Sequence, residues 1–154
     1  MKAEEFDHYI MRGHNWSREA FIPIVLRAIF RSIEENGDDR VPVSLIAEDF
    51  RAFYAGNNER KRKSLRANKN EHTKYVLMNI ETIDEADLRQ LLFERPFGTL
   101  GNKNRGRNGK YYEFIKAGKN ISDEFITVDK EIVEAYTEKS KDWNGVVNDY
   151  LDKY

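Results

Sequence analysis

The sequence predicts an α+β domain that is mainly helical, with one β-hairpin and additional C-terminal helices. Two observations carry this prediction. Apolar residues recur at helical spacing in several segments, of which residues 16–36 are the longest. Residues 97–114 instead place a run rich in glycine, asparagine and cations between two apolar and aromatic segments. This arrangement is typical of a hairpin, because glycine and asparagine accept positive φ at its tip.

Helical spacing predicts a short helix within residues 3–11 and a longer one over residues 16–36. Asn15 or Ser17 would cap the longer helix, because side chains of these types accept hydrogen bonds from the first backbone N–H groups. Pro23 lies either in the first turn of this helix or at a kink within it, and the pattern leaves both positions open.

A short edge strand and two further helices are predicted from the next segments. Residues 41–43 suit an edge strand, and Ser44 would cap the helix that follows. Thr82 and Glu85 match the capping box T-x-x-E and so predict the start of another helix. Pro96 would close that helix before the hairpin begins.

The C-terminal part of the chain predicts one strand and two helices. Phe125–Val128 alternates enough for a strand, although Thr127 could instead cap the helix behind it. Two apolar stripes, one around Tyr136 and one beginning at Trp143, are separated by the polar residues 139–141. These helices would close the core or dock on a partner, so a homodimer or a larger assembly is an open alternative.

The composition favours one domain in a reducing compartment. The 154 residues are 40% hydrophobic and 12% aromatic, which is sufficient for a core. The absence of cysteine excludes disulfides, thiolate catalysis and thiolate metal sites. The chain has no run of about 18 apolar residues and no hydrophobic signal region at its N-terminus. The sequence therefore predicts a cytoplasmic protein without membrane contact.

The charge is segregated along the chain, although the formal net charge is only −1. Residues 60–110 carry 13 Lys and Arg against 6 Asp and Glu, a net charge of +7. Residues 1–59 and residues 111–154 each carry a net charge of −4. Because a local positive field attracts phosphate even on a nearly neutral molecule, the middle of the chain is the best candidate for a functional surface.

The candidate binding residues form two clusters of cations. The first cluster would be a helix whose polar face is entirely basic, or an ordered loop lying against phosphates. Its members are Arg60, Lys61, Arg62, Lys63, Arg66 and Lys69. The second cluster, at the hairpin tip, contains Lys103, Arg105, Arg107 and Lys110. Cations of this kind neutralise phosphates, and each contact to duplex DNA adds about −0.9 to the slope of log affinity against log salt.

The order of these elements resembles the winged helix-turn-helix. A helix is followed by a short edge segment, a second helix over V-P-V-S-L-I-A-E-D-F, basic helical material and a hairpin with a glycine-rich cationic tip. The resemblance covers residues 15–116, which would form the nucleic-acid-binding domain. Residues 1–14 would be an N-terminal extension, and residues 117–154 a C-terminal helical extension packed on the same core.

The resemblance implies that the first cation cluster lies on the recognition side and that the hairpin, called the wing in this family, contacts DNA. Two departures from the family pattern are visible. A long basic stretch, residues 56–70, replaces the usual tight turn, and the helix opened by Thr82 stands before the wing. An embellished winged helix, as in restriction and phage-defence proteins, fits this spacing better than a minimal one.

Together, the resemblance and the charge pattern predict a non-catalytic protein that binds duplex DNA mainly through its backbone, as a regulator or as the DNA-targeting part of a restriction or defence system. Arg105 and Arg107, one glycine apart, could enter a narrow minor groove. Asn68 and Asn70 could read adenine edges, or serve as turn and cap residues. The alternatives are a protein-interaction or phage-encoded inhibitor protein that binds no nucleic acid, and an RNA-binding domain.

The sequence offers little for catalysis. His8, His14 and His72 are not at metal-ligand spacing with one another. Residues 113–116 approach the nuclease pattern Glu-x-Lys but contain one residue too many. The chain has no P-loop, nucleophile elbow or dinucleotide fingerprint. A metal-dependent nuclease is the one enzymatic alternative, and we expect neither a cofactor nor a bound metal.

Overall fold

The computed structural model describes residues 2–12, 16, 19–102, 104–118 and 120–154. Most of these residues are helical, and a small antiparallel sheet completes the fold. The predicted α+β, mainly helical class is thereby confirmed. The candidate caps Asn15 and Ser17, together with His14 and Lys103, lie outside the described residues.

The helices follow one another closely along the chain. Their bounds are α1 Lys2–Arg12, α2 Phe21–Asn36, α3 Val43–Tyr54, α4 Asn58–Ala67, α5 Glu71–Met78, α6 Glu85–Leu92, α7 Gly98–Asn102 and α8 Lys130–Asp152. A π-helical turn, Phe93–Phe97, joins α6 to α7. Within the described residues, no helix combines the length and the apolar composition that crossing a bilayer requires.

The strands form two separate antiparallel units. Their bounds are β1 Arg40–Pro42, β2 Asn104–Arg105, β3 Tyr111–Tyr112, β4 Ile115–Lys116 and β5 Phe125–Val128. The three-stranded sheet has the order β1-β5-β4, with Val41 opposite Ile126 and Ile115 opposite Val128. Both the edge strand and the strand Phe125–Val128 were predicted from the sequence. Within the described residues, strands β2 and β3 pair only with each other. The winged-helix resemblance stays a prediction.

An aromatic cluster joins distant parts of the chain in the core. The Phe6 ring lies 5.0 Å from both the Phe114 ring and the Trp143 ring, and the Phe30 ring stacks on Trp143 at 5.7 Å. Helix α2 lies at the centre of this core, with most of its side chains buried. The buried residues form one cluster that extends from Phe6 to Leu151. This cluster packs helices α1, α2 and α8 together with Phe114, which follows the hairpin in the chain.

Two predicted helix caps are wrong. Helix α3 begins at Val43, whose N–H donates to the Glu124 carbonyl at 2.9 Å, so Ser44 lies inside the helix. Helix α6 begins at Glu85 with Asp84 as its N-cap. Thr82 instead belongs to a turn that continues from α5, since its N–H donates to the Asn79 carbonyl at 3.0 Å.

Proline has a different effect at two helical positions. Pro23 lies in the first turn of α2, where its missing N–H costs no hydrogen bond. Pro96 does not close α6 as predicted. The helical path passes through it as a π-helical turn and continues into α7, because the wider turn accommodates a residue that cannot donate.

The C-terminal helix α8 is a single helix of 23 residues, where the sequence predicted two. The polar residues 139–141 do not interrupt it. Tyr136, Trp143 and Val147 are buried along one side of the helix, so one stripe continues past the polar segment. Asn144 supports this segment, because its amide donates to the Ser140 carbonyl at 2.9 Å and to the Tyr136 hydroxyl at 2.7 Å.

Candidate nucleic-acid interface

The first cation cluster is a helix, α4, rather than a loop. Asn57 caps it by accepting a hydrogen bond from the Arg60 N–H at 3.0 Å. The side of α4 that faces the protein is polar, and its buried members are Lys61 and Ser64, with Asn68 just beyond the helix end. Because polar contacts anchor this helix, its sequence lacks the apolar stripe by which α2 could be predicted.

Lys61 is a structural residue. It is only 4% exposed, and its ammonium pairs with the Glu81 carboxylate at 2.5 Å and 3.0 Å. The Lys61 hydrogen bond, followed by one from the Gly56 N–H, lowers the pKa of Glu81 to about 2. A buried ammonium that is already paired has no means of reaching a phosphate, so we leave Lys61 out of the interface.

Arg60 and Lys63 are half-buried against aromatic rings. The Arg60 guanidinium lies 4.1 Å above the Phe53 ring and donates to the Phe53 carbonyl at 2.9 Å. The Lys63 ammonium lies 4.3 Å above the ring of Tyr154. These cation–π contacts hold the two charges close to the protein surface.

The outer side of α4 carries the exposed cations of the first cluster. Arg62 and Arg66 are one helical turn apart, and Lys69 follows the end of the helix. All three side chains are exposed, and within the described part of the chain none has a hydrogen-bond or ion-pair partner. These three residues, which we call the outer α4 face, are therefore free to contact an anion.

Asn104 links the hairpin to the preceding helix, α7, through side-chain hydrogen bonds. Its side-chain amide is buried and donates to the carbonyls of Thr99 and Leu100 at 2.8 Å and 2.9 Å. The same amide donates to the Tyr112 carbonyl on the opposite strand at 3.3 Å. This set of bonds gives the short two-residue strands a fixed position on α7.

The hairpin tip turns through two glycines. The Gly106 N–H donates to the Lys110 carbonyl at 2.7 Å, and Gly109 adopts a φ of +83°, which L side chains rarely adopt. A Cβ at Gly106 would overlap the Tyr112 ring, so packing also requires a glycine there. The predicted hairpin is thus present, with its strands limited to Asn104–Arg105 and Tyr111–Tyr112.

The cations of the tip have different surroundings. Arg105 and Lys110 are exposed, and Tyr111, opposite Arg105 in the strand register, is 67% exposed. Arg107 pairs with Glu5 of α1, with its Nε 3.3 Å from Oε1 and its backbone N–H donating to Oε2 at 3.2 Å. The fourth predicted cation of the tip, Lys103, lies outside the described residues.

Arg12, which sequence reasoning missed, lies between the two clusters. It lines a cavity of about 700 Å³ together with Lys63 of α4. It also lines a neighbouring cavity of about 280 Å³ together with Arg105 of the hairpin. Arg12 is an isolated basic residue at the end of a short helix, and no local charge pattern marks it. The packing of α1 against α8, together with the Glu5–Arg107 pair, brings it to this surface.

The two asparagines considered for base reading have structural roles. Asn70 caps α5, because its side-chain oxygen accepts from the N–H groups of His72 and Thr73 at 2.9 Å and 3.2 Å. Asn68 is buried, and its side-chain oxygen accepts from the Asn70 N–H at 3.1 Å. Of the two interpretations left open by the sequence, the structure matches turn and cap residues.

The described residues contain no group of three or more histidine or acidic side chains placed to hold a metal ion. His72 contacts the Asp87 carbonyl through Nε2 at 3.2 Å. Comparisons of the chain with protein-family models, with curated proteins and with solved structures returned no match.

Proposed function

We propose that this chain is a non-catalytic, cytoplasmic DNA-binding protein of embellished winged-helix type, which contacts the backbone of duplex DNA through the outer α4 face and the hairpin tip. The observation that carries the proposal is the set of exposed cations Arg62, Arg66 and Lys69, which lack partners in the described part of the chain. Cations in this state gain from phosphate contacts through the release of condensed counterions.

The hairpin tip extends the same surface. Arg105 and Lys110 are exposed there, and Arg107 pairs with Glu5. Arg12 supports continuity between the helix and the hairpin, since it lines cavities next to both. The exposed Tyr111 adds a flat ring beside the cations, which suits contact with sugars or bases. A role as a regulator or as the DNA-targeting part of a restriction or defence system rests on analogy at the level of fold.

The test is binding of a fluorescent random duplex to the double variant Arg62→Gln with Arg66→Gln at several salt concentrations. We expect a loss of affinity of about tenfold at about 50 mM salt and a salt slope that is shallower by about 1.8, because two phosphate contacts of about 0.9 each are removed. The matched control is Lys130→Gln with Lys141→Gln, which removes the same charge from exposed positions on α8. The control should bind like the wild type.

An equal loss of affinity in both double variants would contradict the proposal, since net charge rather than the outer α4 face would then govern binding. Absence of binding by the wild type at about 50 mM salt, where cationic surfaces bind DNA most strongly, would also overturn it. A duplex RNA of the same sequence completes the experiment. Tighter binding of the RNA than of the DNA would replace the proposal with its RNA-binding alternative.

A further inference from the structure

The chain contains three Asn-Gly pairs, which are Asn36–Gly37, Asn108–Gly109 and Asn144–Gly145. Asparagine loses its side-chain amide most readily in such a pair. The backbone nitrogen of the following residue attacks the side-chain carbonyl carbon, and glycine leaves this approach open because it has no Cβ. The structure places the three pairs in different surroundings, and one of them lies at the hairpin tip.

Two of these pairs are protected by helices. Asn36 ends α2, and the Gly37 N–H donates to the Ile33 carbonyl at 2.7 Å. Asn144 lies within α8, and its side-chain amide donates to the Ser140 carbonyl at 2.9 Å. A helical backbone directs each N–H along the axis toward the preceding turn, away from the neighbouring side chain. Attack in either pair would therefore require part of a packed helix to unwind.

The pair at the hairpin tip can react without such unwinding. Asn108 and Gly109 are both exposed, and the Gly109 N–H donates to the Gly106 carbonyl at 3.0 Å in a turn. This turn joins strands of only two residues each, so its hydrogen bond can open locally while the helices and the core stay intact. The Gly109 nitrogen then becomes available for reaction in the folded protein.

The side chain of Asn108 is held close to that nitrogen. Its Oδ1 accepts from the Lys110 N–H at 3.0 Å, which forms an Asx turn. The ring closed by this hydrogen bond contains the Gly109 nitrogen, and the bond polarises the carbonyl carbon that the nitrogen attacks. The Asn108 amide nitrogen, which is the leaving group, donates to the Tyr112 hydroxyl at 2.8 Å. The hydroxyl can rotate to return a proton to this nitrogen as it departs.

A cation lies beside the reacting backbone. A Cβ built on Gly109 would lie 3.6 Å from Nη2 of the Arg105 guanidinium. Positive charge so close favours loss of the Gly109 amide proton and stabilises the oxyanion that forms on the Asn108 side chain. The charge that suits the hairpin tip to phosphate therefore also promotes the reaction.

We propose that Asn108 is a site of spontaneous deamidation, and that its product weakens DNA binding by the hairpin tip. The Gly109 nitrogen bonds to Cγ of Asn108 and gives up its proton, the bond from Cγ to the amide nitrogen breaks, and ammonia leaves. Water then opens the cyclic imide and leaves a carboxylate, as aspartate or isoaspartate. The modification is independent of the proposed function, whereas its effect on binding rests on that function.

The new carboxylate lies among the cations of the tip. It would pair with Arg105 as Glu5 pairs with Arg107, so one cation fewer would be available to phosphate. Isoaspartate also lengthens the backbone by one carbon within the turn that ends at Gly109. Duplex affinity would therefore decline as the protein ages, without the action of an enzyme.

The first experiment measures deamidation in the absence of DNA. The folded wild type and the chain unfolded in guanidinium are incubated at mildly alkaline pH, and tandem mass spectrometry of peptides follows conversion at each pair. In the unfolded chain the three pairs should react at similar rates, since each has glycine as the following residue. Folding should slow Asn36 and Asn144 strongly and Asn108 little. Equal slowing of all three pairs, or slower reaction at Asn108 than at Asn36 in the folded protein, would overturn the proposal.

The second experiment measures duplex binding before and after the same incubation. The wild type should lose affinity several-fold at low salt, with a salt slope shallower by about 0.9, because one phosphate contact is lost. The matched control is Asn108→Gln, whose longer side chain keeps the amide but forms a cyclic imide much more slowly. Its affinity should not change on incubation. Asn108→Asp carries the charge of the product from the start and should bind weakly without incubation.

The binding results separate the two parts of the proposal. Conversion at Asn108 without a change in duplex affinity would overturn the effect on binding. An equal loss of affinity in Asn108→Gln would also overturn it, since a change elsewhere in the chain would then be responsible. Failure of fresh wild type to bind the duplex would overturn the proposed function alone, because deamidation is measured without DNA.

Discussion

Lys61 and Arg62 are neighbours in the chain but lie in opposite environments. Lys61 is 4% exposed and is held by Glu81, whereas Arg62 is exposed and belongs to the outer α4 face. The cause is helical geometry, because successive side chains on a helix point about 100° apart. Net charge therefore overstates the number of cations that can bind phosphate, and each cation has to be judged by its contacts.

The stability that the Lys61–Glu81 pair contributes should depend on pH. Because the pair lowers the pKa of Glu81 from 4.5 to about 2 in the folded protein, it stabilises the fold fully above pH 4.5, and this contribution is lost as the pH falls toward 2. We expect Glu81→Gln to be less stable than the wild type at pH 7, since it leaves the Lys61 ammonium buried without a counter-charge. The difference in urea midpoint should narrow as the pH falls from 4.5 to 2.

The control for this prediction is Asp149→Asn, which removes an acid that pairs with Lys153 at 3.0 Å where both side chains are exposed. It should change stability little at any pH, because pairs in contact with solvent contribute little. A constant difference between Glu81→Gln and the wild type over the whole pH range would refute the role assigned to the pair. Lys61→Met should leave duplex affinity nearly unchanged if Lys61 lies outside the interface.

Removing the charge of Glu5 should increase the affinity for duplex DNA. Its carboxylate is only 11% exposed and holds Arg107, whose side chain is 54% exposed. Glu5→Gln keeps an oxygen that can accept from the Arg107 N–H but removes the competing charge. We expect duplex affinity to rise several-fold at low salt and the salt slope to steepen by about 0.9, as one more cation becomes available to phosphate.

Glu4→Gln is the matched control for this gain, because Glu4 is exposed on the same helix and makes no hydrogen bond or ion pair with the hairpin cations in the described part of the chain. Fluorescent duplex titrations of both variants over a range of salt concentrations provide the comparison. The same rise in both would mean that net charge, rather than release of Arg107, governs affinity. No rise in either would place the hairpin tip outside the interface.

At the scale of elements, sequence reasoning succeeds where apolar side chains set the pattern. Strand β5 and the body of helix α2 are predicted correctly because their buried residues repeat with the period of the element, although α2 begins at Phe21 rather than at residue 16. Helix α4 could not be distinguished from a loop, since Lys61 and Ser64 fill the buried positions where apolar residues would be expected. The predicted cap at Thr82 is wrong because Thr82 belongs to a turn that continues from α5. Local residue spacing does not reveal this turn.

Replacing the glycine within helix α8 should raise the stability of the protein. Gly145→Ala should stabilise the protein by about 0.5–1 kcal/mol, because alanine has the higher helix propensity and the added Cβ meets no atom within 4 Å. This gain corresponds to a rise in Tm of about 1–4 °C for a chain of this length. Thermal unfolding followed by circular dichroism gives the measurement.

Gly37→Ala is the contrasting variant, since a Cβ there also meets no atom within 4 Å but the residue has a φ of +64° at the end of α2. It should lower Tm, because alanine is strained in that conformation. A fall in Tm for Gly145→Ala would show that the helix needs glycine for its own packing.

At the scale of the whole molecule, the interface depends on contacts between residues far apart in the chain. The two cation clusters were predictable from the sequence, because each is a local run of charge. Their division into paired and free residues was not predictable, since Glu5 reaches Arg107 across 102 residues and Glu81 reaches Lys61 across 20. The position of Arg12 between the clusters likewise follows from packing, because α1 lies against α8.

The longest-range hydrogen bond of α4 joins it to the C-terminal end of the chain. The Ser64 hydroxyl lies 2.7 Å from the Tyr54 hydroxyl and 2.6 Å from that of Tyr154, so three hydroxyl groups connect α3, α4 and the last residue. Burial raises the pKa of Tyr154 to about 12, and the Tyr54 pKa is also raised by burial, so all three groups stay neutral at physiological pH. This chain of hydrogen bonds fixes α4, and with it the outer α4 face, on the core.

Ser64→Ala should therefore destabilise the whole fold by about 1–2 kcal/mol, because the Tyr54 and Tyr154 hydroxyls both lose their hydrogen bond to Ser64. For a chain of this length, Tm falls by about 2–4 °C for each kcal/mol. Tyr154→Phe should cost less, since the bond between Tyr54 and Ser64 remains. The control Ser44→Ala changes an exposed serine inside α3 and should leave Tm unchanged or slightly raised. Equal Tm values for Ser64→Ala and Ser44→Ala would show that packing of α4 alone, without the hydroxyl chain, holds the interface in place.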